Sequence, residues 1–323
     1  MNLKDKPRPA SAFRAAEGLI RNALKEDIVS GDITSELLLP KNKKIKAIIL
    51  LKEEAVIAGL RIAEKVFKTV DNKIKFKAQV LEGSLQKKGK IIAVLEGSAR
   101  HMLLAERTAL NFLAHLSGIA TLVRSFAFKV KPYKVKIMDT RKTIPGLRNL
   151  QKYAVYLGGG YSYRMGLWDE ILIKDNHIAA SCLRRHASGV MPQASCVEEL
   201  IETIKKKRPK DMKIEIEVKN LKEFMSALKA QPDIIMLDNM KIADIRKAVA
   251  IRLKTQDSLR LRSGQARLPA VGGTGNTLLE ASGGVNLDNV RTIAATGVDM
   301  ISIGCLTHSV KAIDISLEIT HCQ

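Results

Sequence analysis

The chain has 323 residues, 46% of them hydrophobic and only 4% aromatic, and carries a formal charge of +21 from 54 Lys and Arg against 33 Asp and Glu. That length and apolar content can bury one large core or two smaller ones, which excludes a disordered or fibrous chain. The charge favours anionic partners, but no stripe of aromatic residues interleaves with the cations, so nucleic acid is not expected among them.

The first fourteen residues are basic and contain Pro7 and Pro9, with no apolar run long enough for a signal-peptide core. The longest aliphatic stretch, Ala47 to Leu51, is too short to span a bilayer, so no membrane partner is expected. From Ala12 to Leu24 the positions Phe13, Ala16, Leu19, Ile20, Ala23 and Leu24 follow helical spacing, and Gly31-Asp32-Ile33-Thr34 breaks the pattern. Between Lys43 and Leu95 the runs Ile45 to Leu51, Ile74 to Val80 and Ile91 to Leu95 alternate with glycines and predict a separate α+β layer. A helical pattern from Met102 to Leu116 leads out of it, with a boundary near Ser117-Gly118.

Six short apolar runs follow, and each discharges polar residues or glycines at its carboxyl end. Val135 to Met138 ends in Asp139-Thr140-Arg141-Lys142-Thr143, and Ile171 to Ile173 in Lys174-Asp175-Asn176-His177. Ile214 to Ile216 ends in Glu217, and Ile234 to Leu237 in Asp238-Asn239. Leu278 to Ala281 ends in Ser282-Gly283-Gly284, and Met300 to Ile303 in Gly304-Cys305. This pattern predicts an α/β fold: an N-terminal α+β sandwich layer, then a parallel α/β barrel, complete or incomplete, with its active site at the strand carboxyl ends. The expected domains are 1–117 for the α+β layer, 118–305 for the barrel, and a segment 306–323 that returns to the N-terminal domain.

Two stretches, Ser181 to Ser195 and Lys254 to Thr277, carry arginines, glycines and prolines and are expected to be surface loops that interrupt the step between elements. Residues 255 to 275 are further expected to be mobile and dispensable. Cys182, Cys196, Cys305 and Cys322 form no C-x-x-C pair and no metal spacing with histidine, which fits a reducing cytoplasm.

Arg141 offers a planar fork and Lys142 a compact charge, a pairing suited to a substrate with several anionic groups, although the same residues also read as a solvated turn before Pro145-Gly146. Gly158-Gly159-Gly160 either lets backbone approach a ligand or is a flexible connector; Arg164 and Lys174 complete a cluster of four cations. Glu217 and Asp238 end successive strands, so their carboxylates should converge either to neutralise cations or to hold a hard divalent ion such as Mg2+; Glu215 could be the partner instead. Ser282-Gly283-Gly284 and Ile303-Gly304-Cys305 can aim backbone N–H groups at a phosphate. His308 is expected only to cap or pack.

At these residues the chain resembles the quinolinate phosphoribosyltransferase family, also called nicotinate-nucleotide pyrophosphorylase (carboxylating), over nearly its whole length. The resemblance is carried by Glu26-Asp27 with Gly31 to Thr34, Glu106 to Asn111, Asp139 to Arg148, Gly158 to Leu167, Leu172 to His177, Glu215 to Val218, Met236 to Asn239, Glu280 to Gly284 and Gly304 to Ser309. It implies a pentosyltransferase of NAD biosynthesis that takes quinolinate and phosphoribosyl pyrophosphate to nicotinate mononucleotide, pyrophosphate and carbon dioxide. It implies Lys142, Lys174, Glu217 and Asp238 as catalytic residues, with Arg141, Lys142, Arg164 and Lys174 on the dicarboxylate and Thr140 beside them. It implies Arg107 reaching in from a neighbouring subunit of a homodimer or larger homo-oligomer, Glu217 and Asp238 on ribose and Mg2+, and Ser282, Gly283, Gly284, Ile303, Gly304 and Cys305 on phosphate. The family usually has Asn-His-Arg where this chain has Ser162-Tyr163-Arg164, so Tyr163 is expected to donate a hydrogen bond in place of a histidine. Competing expectations are the related molybdenum-transport-associated protein, nicotinate phosphoribosyltransferase, and a non-catalytic basic nucleic-acid-binding protein on this fold.

Overall fold

The computed structural model describes residues 9–162, 164–183, 193–263 and 277–322. In chain order the first elements are α1 (Pro9–Ile28), α2 (Ile33–Leu38), β1 (Lys44–Leu51), β2 (Ala55–Val56), α3 (Leu60–Val70), β3 (Lys75–Ala78), β4 (Leu85–Gln86), β5 (Ile91–Ser98) and α4 (Ala99–Val130). They are followed by β6 (Lys136–Met138), α5 (Arg148–Gly158), β7 (Ile171–Ile173), α6 (Asp175–Leu183), α7 (Gln193–Lys207), β8 (Ile214–Val218), α8 (Leu221–Lys229) and β9 (Ile234–Asp238). The chain then runs through α9 (Ile242–Ser263), β10 (Leu278–Ser282), α10 (Val290–Ala294), β11 (Met300–Ser302), α11 (Cys305–His308) and β12 (Ile315–Cys322).

These residues cluster into two compact units. One comprises Phe128–Arg141 and Tyr163–Ile303 as far as they are described, and is built on a six-stranded sheet in the order β6-β11-β10-β9-β8-β7 with every neighbouring pair parallel. Connections that place helices between parallel strands bury them, so β8, β9, β10 and β11 are largely buried and rich in Ile, Leu, Val and Met, with Glu, Asp and Ser set among them. β6 and β7 stand at the two ends of that order, so among the described residues the hydrogen-bonded barrel is open. Met138, Ile234 and Met300, with Leu278 against them, fill its inner face.

Charges at the amino ends of these strands go into structure. Asp233 takes Arg208 at 2.7 Å and the Ile214 N–H at 2.9 Å, and Asp299 takes Arg252 at 2.7 Å and the Leu279 N–H at 2.8 Å. Each carboxylate thereby pins a strand start to its neighbour, the division of labour expected of a barrel whose chemistry lies at the other end.

The second unit comprises 4–127, 142–162 and 304–323, again as far as described. Its antiparallel sheet has the order β12-β1-β5-β3. β1 alternates, with Ile45, Ala47, Ile49 and Leu51 buried, while α3 buries Leu60, Ile62, Ala63, Val66 and Phe67. The Asp32 carboxylate accepts from the Ser35 N–H at 3.1 Å and starts α2, which explains the break at Gly31-Asp32. α1 packs on α3 and α5, with Phe13 edge-on to Tyr153 at 5.4 Å.

Three expectations are corrected. The helix expected to end at Leu116 runs as α4 to Val130, straight through Ser117-Gly118. A Cβ on Gly118 would lie 2.2 Å from the Lys311 carbonyl, so glycine there serves a close backbone approach instead of a helix stop. The stretch beginning at Lys254 starts as helix, because α9 continues to Ser263 with no Gly or Pro before Gly264. The remainder of that stretch, 264–276, and residues 184–192 of the other lie outside the described residues. Gly158-Gly159-Gly160 is not a flexible connector: Gly158 ends α5, Gly159 caps it at φ 95°, and a Cβ on Gly158 would be 2.5 Å from the Ala120 carbonyl of α4.

Candidate active site

In the parallel unit the carboxyl ends of the strands carry the expected residues. Thr140 and Arg141 follow β6, Lys174 follows β7, Glu217 lies in β8, Asp238 ends β9, Ser282 ends β10 and leads into Gly283 and Gly284, and Ile303 follows β11. Lys174 is exposed, and Thr140, Arg141, Arg164, Glu217 and Asp238 are half-buried. Glu217 pairs in register with Met236, and Asp238 lies two residues further along the same face, so both carboxylates project to one side of the sheet. The electrostatics agree with that placement. Burial first, and then the neighbouring Asp238 and Asp175, push the Glu217 carboxyl above its usual range, while Lys174 and Lys219 pull it back. Asp175, bonded to Lys219 at 2.6 Å, is held low by that lysine.

Local caps fix these ends. Directly after β8, Asn220 and Glu223 form a reciprocal cap: the Asn220 side chain accepts from the Glu223 N–H at 3.0 Å, and Glu223 accepts from the Lys219 N–H at 2.8 Å. After β10, Gly283 sits at φ 91°, where an added Cβ would fall 2.3 Å from Asn239 Oδ1, so only glycine lets this turn meet the end of β9. The Asn239 N–H donates to the Ser282 carbonyl at 2.8 Å and locks the two ends together.

Beneath this rim lie two acids, Glu215, which strand alternation offers as an alternative carboxylate partner, and Glu280, to which the sequence assigns no role. Glu215 and Glu280 are buried on the inner face, and each has one carboxylate oxygen with no hydrogen-bond partner among the described residues. Burial, reinforced by Glu280 and Glu170 and relieved by Arg164, drives Glu215 well up. Glu280, which accepts from the Ser302 hydroxyl, is pushed up to about 7 by burial with Glu170 and Asp139 nearby. Arg164 itself donates to the Gly166 carbonyl at 3.1 Å. Strand alternation shows that Glu215 faces inward, and no local pattern shows how deeply it is buried.

The second unit holds Arg107, Lys142, Gly304 and Cys305. The Lys142 side chain runs over Gly304, where an added Cβ would be 3.0 Å from its Cδ. Gly304 and Cys305 start α11, and the Thr307 hydroxyl donates to the Lys142 carbonyl at 2.7 Å. The Ile303 N–H, expected on a phosphate, is taken by the Met138 carbonyl at 3.0 Å, because the ladder between β11 and β6 extends one residue past the strand. Burial pushes the Cys305 thiol up, so at neutral pH it is a protonated bystander to its own backbone. Arg107 is exposed on α4 and lines a cavity of about 340 Å³ with Glu26, Asp27, Asn111 and His115 among others. Tyr163 lies outside the described residues. The His308 ring bonds the Ser309 hydroxyl at 2.6 Å, in keeping with a local role. Cys305 is a free thiol, and Cys196 is disulfide-bonded, which departs from the reducing compartment that the cysteine pattern suggests.

Two converging carboxylates suit a hard divalent cation whose remaining ligands come from phosphate or water, and among the described residues no cluster of three or more His, Cys, Asp or Glu could hold a metal alone. No described helix is long and apolar enough to cross a membrane.

An all-parallel α/β sheet that gathers a lysine, paired carboxylates and a Ser-Gly-Gly turn at its carboxyl ends, and spends its amino-end charges on ion pairs, is the framework of an enzyme acting on polyanionic small molecules. Residues 119–318 match the family model described as quinolinate phosphoribosyl transferase, C-terminal domain, and residues 32–117 match that of its N-terminal domain. The chain belongs to the quinolinate phosphoribosyl transferase family. It is 36% identical over 312 residues to the nicotinate-nucleotide pyrophosphorylase [carboxylating] of Mycobacterium leprae (strain TN), covering 95% of this chain and 98% of that protein. It is 37% identical to the quinolinate phosphoribosyltransferase [decarboxylating] 1b of Nicotiana tabacum, covering 96% of this chain and 84% of the other. Among solved structures, the nicotinate-nucleotide pyrophosphorylase of Ehrlichia chaffeensis superposes with a TM-score of 0.79 at 39% identity, covering 94% of this chain and 98% of that one.

Proposed function

We propose that this chain transfers phosphoribosyl from phosphoribosyl pyrophosphate to the ring nitrogen of quinolinate and decarboxylates the adduct to nicotinate mononucleotide. What carries the reading is the family match across 32–117 and 119–318, which includes every candidate site residue, Arg107 among them. In the first step the ring nitrogen bonds the anomeric carbon and pyrophosphate departs with the electron pair of the broken C–O bond. Positive charge grows on the ribose, and Glu217 and Asp238 stabilise it. Those two carboxylates would also hold Mg2+, which supplies charge neutralisation to the departing phosphates. Arg141, Lys142, Arg164 and Lys174, with Thr140, grip the dicarboxylate and orient the ring. In the second step the bond to the carboxylate next to the ring nitrogen breaks, carbon dioxide leaves, the pyridinium accepts the electron pair and a proton replaces the lost group.

Ser282, Gly283, Gly284, Gly304 and Cys305 are assigned to phosphate through their backbone, with Ile303 reduced to a strand contact by its bond to Met138. Tyr163 is assigned a hydrogen bond to quinolinate, and Arg107 a place in the site of a neighbouring copy in a homodimer or larger homo-oligomer. A cytoplasmic location completes the proposal. The test is incubation of the protein with quinolinate, phosphoribosyl pyrophosphate and Mg2+. Equal amounts of carbon dioxide and nicotinate mononucleotide are expected, and folded protein that yields neither refutes the reading.

A further inference from the structure

The segment Lys142-Thr143-Ile144 is held from three directions within its own unit. The Lys142 carbonyl accepts from the Thr307 hydroxyl at 2.7 Å, Thr143 Oγ1 accepts from Arg148 Nε at 3.0 Å, and the Ile144 N–H donates to Gln151 Oε1 at 2.9 Å. Gln151 is fully buried and Thr307 nearly so. A backbone N–H can only donate, which fixes the Gln151 oxygen toward Ile144 and leaves its NH2 for the other two partners. Both hydrogens are used: one on the Thr307 carbonyl at 3.0 Å, the other toward His115 Nε2 at 2.9 Å. His115 Nε2 must therefore be the acceptor, which means a neutral ring with its proton on Nδ1.

One glutamine thus ties together α4, α5, α11 and the loop that bears Lys142. Just beyond the lysine, Ile144, Pro145 and Gly146 are exposed, so without these bonds it would ride on a solvated turn. A lysine brings four rotatable bonds of its own, and a misplacement of about 1 Å at a reacting group can cost on the order of a hundredfold in rate. We propose that Thr307 and Gln151 are positioning residues for Lys142, with the Ile144 N–H fixing which way the Gln151 amide faces and His115 accepting its second amide hydrogen. This rests on the reading of Lys142 as a residue that grips quinolinate.

The test is a double-mutant cycle between Thr307→Val and Lys142→Ala, read as single-turnover kcat/KM for quinolinate at high enzyme concentration, with folding checked by circular dichroism. Thr307→Val keeps the shape of the side chain and removes only the donor. It should lower kcat/KM for quinolinate at least tenfold in the parent and less than twofold when Lys142 is already alanine, with KM for phosphoribosyl pyrophosphate within threefold. Thr307→Ser, which restores the donor, should recover most of the loss. Equal losses in both backgrounds, or none in either, overturn the inference. Should Thr307→Val fail to fold, Gln151→Glu takes its place in the cycle, since it keeps the acceptor for Ile144 and removes both amide donors. If Lys142→Ala alone leaves turnover intact, the functional reading of Lys142 falls, and the inference with it; that result is read in the single variant, apart from the cycle.

Discussion

Glu280 shares its rung of the sheet with Met236 on one side and Met300 on the other, a setting that disfavours its charged form. Its carboxyl is raised from an ordinary 4.5 to about 7. A raised acid binds its proton more tightly folded than unfolded, so its share of stability is full below pH 4.5 and is lost as pH rises from there to about 7. Glu280→Gln removes that dependence. The variant should match the parent near pH 5 and exceed it by up to about 3 kcal/mol near pH 8, as denaturant midpoints across that range would record. A parallel pair of curves would mean that Glu280 is already charged in the folded state. Lys174 makes the opposite case. It is exposed at a strand end, so Lys174→Ala should leave the melting temperature within about 2 °C while lowering turnover at least a hundredfold; intact kinetics would remove it from the site.

Rows of residues were easier to foresee than their partners. Lys174, Glu217 and Asp238 were legible because each stands at the end of an apolar run, and parallel strands of one sheet must bring such ends to one side. Gln151, His115 and Thr307 were not, because the bonds that matter join positions 36 and 156 residues apart and leave no local pattern. The packing role of the triple glycine is hidden in the sequence for a related reason. Composition reveals freedom of the backbone, but not that α4 presses against the end of α5. At this scale the prediction concerns two adjacent glycines with different jobs. Gly158→Ala would drive a methyl to within 2.5 Å of the Ala120 carbonyl, an overpacking cost of about 1–3 kcal/mol. Gly159→Ala meets only Ala127 at 3.9 Å and carries the left-handed cost of roughly 1–2 kcal/mol alone. Urea unfolding of both variants checks the order; a Gly158 variant no less stable than the parent would show that this helix contact yields easily.

For the whole molecule, the proposed arrangement has Arg107 serving a neighbouring copy. Inactive Arg107→Ala and Lys142→Ala proteins, mixed and allowed to exchange subunits, should then regain up to about a quarter of parental activity, since mixed dimers hold one intact site. Verified exchange without recovery would confine each site to one chain. The architecture that frames this was partly visible beforehand. The short apolar runs announced a parallel sheet, and the alternation in Ile45 to Leu51 announced an antiparallel one. That residues 142–162 cluster with the amino-terminal sheet was not visible, because a cluster of contacts need not follow a stretch of sequence.

β12 lies against β1 over seven paired positions, from Ile45 with Cys322 to Leu51 with Ile315. On the ribosome this sets a schedule. The first sheet is begun near residue 44 and receives its edge strand only when residues 315–322 emerge, on the order of 10–50 s later at ordinary synthesis rates. Throughout that interval β1 presents an unpaired edge, an open template for any passing strand. The nascent chain is thus most exposed to misassembly through the strand it makes first.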